Sequence, residues 1–233
     1  RRDLHHAVRE VLAGFDVYRT YVQPGRPVTS TDEAVVHRAV ERAARRRPDI
    51  DRELLDFLGD LLLLRRAGRA ERELAARFPQ VAAPVMAKGV EDTAFYRYHR
   101  LVSLCEVGGD PGTFGRTVGE FHEDMVRTAE RWPATMLALS THDSKRSADV
   151  RARVHVLSGL AGPWREQVSR WFDRHDHHRG GVLDANTVYL LYQTMLGAWP
   201  LELDRLLAFA RKATKEAKQH TSWTEPDAGY DDA

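Results

Sequence analysis

Apolar residues recur at helical spacing along most of the chain. Leu4, Val8, Val11, Leu12 and Phe15 share one face behind Asp3, a plausible N-cap, and predict a helix over 3–15. A second helix is predicted from about 29 to 47, opened by a capping box of Ser30 with Glu33 or Thr29 with Asp32 and ended near Pro48. The same period gives helices at about 51–66, 69–78, 116–132, 144–158, 163–174, 184–198 and 201–219. Two stretches break the rhythm. "FDVYRTYV" at 15–22 alternates in character, is rich in Val, Tyr and Thr, and runs into the breaker "QPGRP", as a strand would. "ATMLALS" at 134–140 is almost continuously apolar, as expected of a strand buried on both faces. Between them, residues 81–115 bring glycine, proline, charge and aromatics in short bursts, which reads as shaped loops and short helices.

Two strands joined by a long helical crossover point to a parallel α/β sheet with an inserted helical bundle, with an all-α fold as the rival. At 233 residues and 42% hydrophobic, the chain has material for one large domain or two small ones. Thirty-five Lys and Arg against 34 Asp and Glu leave a charge of +1, so no global field draws it to nucleic acid or an anionic membrane. No apolar run approaches the roughly 20 residues of a membrane span. Cys105 stands alone, which with no signal-like start favours a reducing cytoplasm. The opening on Arg1 rather than Met and the abrupt polar end "TEPDAGYDDA" read as a piece of a longer protein.

The chemistry concentrates in two motifs. "STHDSKRSADV" places His142 and Asp143 directly after the second expected strand, where parallel sheets gather their active-site groups. A carboxylate there can stabilise a cationic transition state and an imidazole can donate a hydrogen bond, although from spacing alone capping a helix that starts near Ser144 is the better reading of Asp143. "KGVEDTAFYRYHR" sets Lys88, Glu91 and Asp92 ahead of Phe95, Tyr96, Tyr98 and His99, a mixture that suits a carbohydrate cleft and also an ordinary core. Lysine is rare here, at Lys88, Lys145, Lys212, Lys215 and Lys218, and two of those positions fall inside these motifs. "EVGGDP" at 106–111 lacks any phosphate-loop pattern and reads as a tight turn. His175, Asp176, His177 and His178 have the look of a metal tract, but neighbouring histidines do not readily converge on one ion, and a solvated loop is the better reading. No cofactor and no metal site is expected.

"APVMAKGVEDTAFYRY" at 83–98 resembles a signature of the maltooligosyl trehalose synthases. "FDVYRTYV", "EVGGDPGTFG" with "EFH", "MLALSTHDSKRSADVRARVHVLSG", and "YQTMLGAWP" with "KEAKQHTSWTEPD" resemble the same family in the same order, leaving only 32–76 without a familiar motif. The resemblance implies the α-amylase-like retaining clan. The expected fold is mainly α with few strands: the C-terminal portion, about strands 6 to 8, of a (β/α)8 barrel with an inserted helical subdomain. The expected segments are 1–30 (barrel), 31–112 (helical insertion and cleft loops) and 113–233 (barrel, with the His-Asp motif). The implied reaction turns the reducing-end α-1,4 bond of a maltooligosaccharide into an α,α-1,1 bond by intramolecular transglucosylation. Asp143 would assist the transition state and His142 would bind substrate; Lys88, Glu91, Asp92, Tyr96, Tyr98, Lys145 and Arg146 would line or support the sugar subsites. The nucleophilic Asp and acid/base Glu of the clan have no matching motif and would lie upstream, so the upstream part of the same polypeptide is the expected partner. Cys105, Ser144 and Ala148 depart from the Asn, Thr and Glu of the family pattern. An inactive carbohydrate-binding or structural fragment is the alternative.

Overall fold

The computed structural model describes residues 2–66, 68–175 and 181–232. It consists of helices and irregular segments in two compact units, one running to Val90 and the other from Glu91.

In the first unit, α1 (Arg2–Gly14), α2 (Ser30–Arg46), α3 (Arg52–Leu62) and α4 (Arg69–Met86) pack around Val11, Val36, Ala39, Val40, Leu55, Leu58, Leu62 and Phe78. Helix α2 is bounded as its sequence directs. Thr29 accepts from the Asp32 amide, Asp32 and Glu33 sit at the positive end of the helix dipole, and Arg45 and Arg46 at the negative end. Asp3 lies in the first turn of α1 rather than at its cap. Helices α1 and α2 touch backbone to backbone, since a Cβ on Gly14 would lie 2.6 Å from the Ala39 carbonyl oxygen. Arg46 closes this contact by donating to the carbonyl of Glu10 at 2.8 Å. Helix α4 runs past the expected stop near 78, through Pro79 and Pro84, into a π-helical turn at Ala87–Glu91. A proline ring tolerates helical φ and costs the hydrogen bond its missing N–H would have made, so it weakens a packed helix without always ending it.

In the second unit come α5 (Val118–Arg131), α6 (Ala148–His155), α7 (Ala161–His175), α8 (Ala185–Ala198), α9 (Leu203–Ala217) and the short α10 (Ala228–Asp231). The core joins Val154 and Leu157 to Leu190, Ala213 and Ala217, with Tyr96, Leu101 and Val102 supplied by the irregular stretch before α5. A second cluster sets Val168 against Val188 and Tyr192 among Trp164, Trp171 and Phe172. Helix α5 carries a full capping box, Thr117 with Glu120, yet buries none of its residues.

The expected barrel is overturned: among the described residues there is no β-strand. Residues 15–22 run as irregular chain, anchored where the Tyr21 amide donates to Asp32 at 3.0 Å and where Phe15 and Val22 pack on the first core. Residues 134–140 are also irregular, and instead of being buried Met136, Leu137 and Leu139 are 96%, 82% and 79% exposed. A strand exists only through a ladder with a neighbour. Neither segment has one, so β-forming composition yields extended or bent chain. The all-α rival describes these units better.

Helices α6 and α8 approach so closely that a Cβ on Gly197 would lie 2.8 Å from Val154 Cγ2 and 2.9 Å from Val150 Cγ1. Both valines are β-branched and stiff in a helix, so they cannot turn aside. Gly197→Ala is therefore expected to destabilise the second unit by about 1–3 kcal/mol through overpacking, read as a lowered midpoint in urea unfolding.

Candidate functional site

The site is built on the irregular chain between Glu91 and Pro111 and on the loop that enters α6. The first segment carries little regular structure, only two single-turn 3-10 helices at Ala94–Tyr96 and Val102–Leu104, so side chains must satisfy its buried backbone. Gln193 does this from within α8. Fully buried, it accepts from the Val102 amide at 2.9 Å and donates to the His99 carbonyl at 2.7 Å. Asn186 donates to the Arg97 carbonyl at 3.0 Å, and Arg97 donates to the Ala217 carbonyl at 2.5 Å. The turn that follows is the tight one expected: the Gly109 amide donates to the Glu106 carbonyl at 2.7 Å and Gly108 takes a φ of +71°.

Thr141 to Ser144 form a second turn. The Ser144 amide donates to the Thr141 carbonyl at 3.1 Å, and the Ser144 hydroxyl accepts from the Thr141 amide at 2.8 Å. Helix α6 begins only at Ala148, with Ser147 as its N-cap. Asp143 is thus not a helix cap. Its side chain is 70% exposed and that of His142 is 92% exposed, with His142 Nε2 3.4 Å from Asp143 Oδ2. Both groups are presented to solvent at the tip of the turn.

The two residues behind the tip point inward. Lys145 pairs with Asp92, and its ammonium lies 5.9 Å from the centre of the Tyr96 ring. Arg146 donates to the carbonyls of Val102 at 3.0 Å and Cys105 at 3.4 Å. Burial pulls the Arg146 guanidinium below its ordinary pKa, while Cys105, Tyr96 and Glu106 nearby oppose the shift. The same burial pushes the Cys105 thiol up to about 11, and its sulfur donates to the Tyr98 carbonyl. That leaves an inert core group rather than a nucleophile.

Of the residues singled out in the sequence, Asp92, Tyr96, Lys145 and Arg146 form one connected cluster, with His142 and Asp143 on the turn it supports. Glu91 is buried and accepts from the Gly108 amide at 3.4 Å; Tyr98 is half-buried, with its hydroxyl donating to the Pro111 carbonyl at 3.5 Å. Lys88 belongs to the first unit, in the π-helical turn. Glu106 was missed. Its carboxylate accepts from the amides of Lys145 and Arg146, and the only hint in the sequence is an acidic residue immediately ahead of a Gly-Gly turn. Of the His-rich tract, His175 meets the Tyr192 hydroxyl at 3.0 Å, whereas Asp176, His177 and His178 lie outside the described residues. Among the described residues no three His, Cys, Asp or Glu side chains gather as metal ligands, and no helix is long and apolar enough to cross a membrane.

No family model matches the chain. A protein of Mycobacterium tuberculosis H37Rv named as a maltooligosyl trehalose synthase is 42% identical over an alignment of 167 residues, covering 69% of this chain and 21% of the relative. The structure of maltooligosyltrehalose synthase from Arthrobacter ramosus matches all of this chain and 28% of its own, at 35% identity and a TM-score of 0.82. The chain belongs with the maltooligosyl trehalose synthases. The structure of a Sulfolobus tokodaii protein described as a hypothetical maltooligosyl trehalose synthase matches 98% of the chain at 28% identity and a TM-score of 0.73, over 29% of its own length. The chain therefore spans about a fifth of the curated relatives, and its likeness extends through both units.

His99 offers a pH test of the site's foundation. It is buried, its Nδ1–H donates to the Asn186 carbonyl at 3.0 Å, and its Nε2 has no partner. Burial holds its pKa below the ordinary 6.5. The folded state therefore binds fewer protons than the unfolded one as the pH drops below 6.5, so this contribution to stability is lost through that window and levels off once the folded-state ring protonates. Relative to His99→Asn, the parent chain should lose unfolding free energy from pH 7 downward, measured by urea titrations at a series of pH values.

Proposed function

We propose that this chain is the part of a maltooligosyl trehalose synthase that carries a catalytic-site aspartate and its supporting loops. The reaction is the conversion of the reducing-end α-1,4 bond of a maltooligosaccharide to an α,α-1,1 bond, a retaining intramolecular transglucosylation. The observation that carries the reading is Asp143 itself: a carboxylate at an exposed turn, excluded from helix capping, on a loop anchored by half-buried charge, in a chain similar to synthases over both units.

An oxocarbenium-like transition state spreads positive charge over the sugar ring, and a carboxylate held in place stabilises it more than the neutral ground state. Asp143 takes that role. His142, beside it, donates to a sugar hydroxyl. Asp92, Lys145 and Arg146 act from behind, since their charges are already engaged within the protein. Tyr96 and Glu91 are buried and support the loop, while Tyr98 is assigned to a sugar subsite. Retaining chemistry further needs a nucleophile and an acid/base about 5–5.5 Å apart astride the bond. The family's motifs for those two groups have no counterpart in this sequence, so the chain by itself does not turn over.

The purified chain with maltohexaose should give no trehalosyl product by chromatography; product would refute the division of labour. In the enzyme that carries this segment, Asp143→Asn should lower kcat by about 100-fold or more, and full retention of kcat would overturn the role given to Asp143. Glucan binding by the enzyme without turnover would favour the inactive carbohydrate-binding alternative.

A further inference from the structure

The turn bearing His142 and Asp143 does not fix its own direction. Within it the Asp143 amide makes a 3.3 Å contact with the Thr141 hydroxyl, and both functional side chains stand in solvent. Its leading end is tied to α6, where the Ala148 amide donates to the Ser140 hydroxyl at 3.1 Å and Arg151 donates to the Leu139 carbonyl; its trailing end is held two and three residues further on. The amides of Lys145 and Arg146 converge on one carboxylate, Glu106, with Oε1 accepting at 2.8 Å and Oε2 at 3.1 Å. The same Oε1 accepts from the Val107 amide at 2.8 Å, and the Gly109 amide bonds the Glu106 carbonyl, so the carboxylate is itself fixed at the mouth of its turn. The grip is mutual. Arg146 reaches back past Glu106 to the carbonyls of Val102 and Cys105, and Val102 is tied through its amide to buried Gln193.

We propose that Glu106 is the positioning residue of the His142–Asp143 turn: by taking the amides of Lys145 and Arg146 on its two oxygens, it sets where the Asp143 carboxylate stands. A carboxylate forked across two successive amides fixes both the position and the rotation of the peptide between them, which a single neutral acceptor does not. Both oxygens being occupied by backbone amides, Glu106 transfers no proton and touches no substrate. Asp92 and Lys145 secure the adjacent side chain, while Glu106 takes the two backbone amides that lead from the turn. The consequence for catalysis rests on the reading of Asp143 given above.

Glu106→Gln keeps one acceptor oxygen and the side-chain shape; Glu106→Ala removes both. In this chain, hydrogen exchange at the Lys145 and Arg146 amides should quicken by about tenfold or more in Glu106→Ala and less in Glu106→Gln, while amides in α8 keep their rates. Unchanged exchange at 145 and 146 would overturn the clamp, as would equal loss of protection in α8, which marks general destabilisation; should Glu106→Ala fail to fold, the Gln variant decides. In the enzyme that carries this segment, kcat should fall by about 10- to 100-fold with KM for maltohexaose changed little, and Glu106→Gln should recover part of the loss. A rise in KM with kcat intact would assign Glu106 to substrate binding and overturn positioning. Asp143→Asn is the control that separates the two claims. If it leaves kcat intact, the role of Asp143 falls whatever Glu106 does; if it abolishes kcat while Glu106→Ala does not lower it, the positioning role alone falls.

Discussion

Backbone buried outside helices and sheets must find its hydrogen bonds elsewhere, and the second unit is organised around that requirement. Residues 91–111 pass beneath α8 and α9 with almost no regular structure of their own. Gln193, Asn186 and Arg97 bind the first part of the segment to the helices, and Glu106 and Arg146 bind its end to the loop ahead of α6. These bonds are made in a low-dielectric setting where an orphaned group is costly, so the segment has few alternative paths. The exposed turn at 141–144 inherits its placement from this network rather than from local preference.

The charged residues divide accordingly. On the first unit, guanidinium–carboxylate pairs such as Arg38 with Asp16 and Arg52 with Glu41 and Asp56 lie on the surface, where screening and side-chain entropy leave each worth little. In the second unit the Asp92–Lys145 pair and the Arg146 guanidinium are largely withdrawn from water, and each is satisfied by specific partners. Removing one partner of such a pair strands the other, so these charges specify a single loop arrangement even where they add little net stability. Arg146 has donors to spare, since its Nη1 alone serves two carbonyls, and the compact ammonium suits Lys145, which meets one carboxylate near an aromatic ring.

Similarity to the maltooligosyl trehalose synthases extends over both units but over little more than a quarter of the solved relatives' length. The apolar side chains of Met136, Leu137 and Leu139 and the uncovered face of α5 belong to the same stretch of chain as the proposed site. The fixed part of that stretch begins where Glu106 takes hold.

Much of the helical content was written in local sequence. Helical spacing marked α1, α2, α7, α8 and α9 to within a few residues, the Thr29–Asp32 cap was visible, and so were the His-Asp pair and the motifs that tie the chain to its relatives. Period and propensity act between residues near in sequence, so they report helices, caps and turns. The two expected strands failed for the complementary reason: a ladder is a bond between distant segments, and composition at 15–22 or 134–140 says nothing of whether a partner arrives. Only the folded chain decided that Asp143 caps no helix, that Lys145 and Arg146 turn inward, and that Glu106, 37 residues before Asp143 in sequence, holds the loop that carries it. Those are contacts across the fold, fixed by which backbone groups were left without partners once the helices had packed.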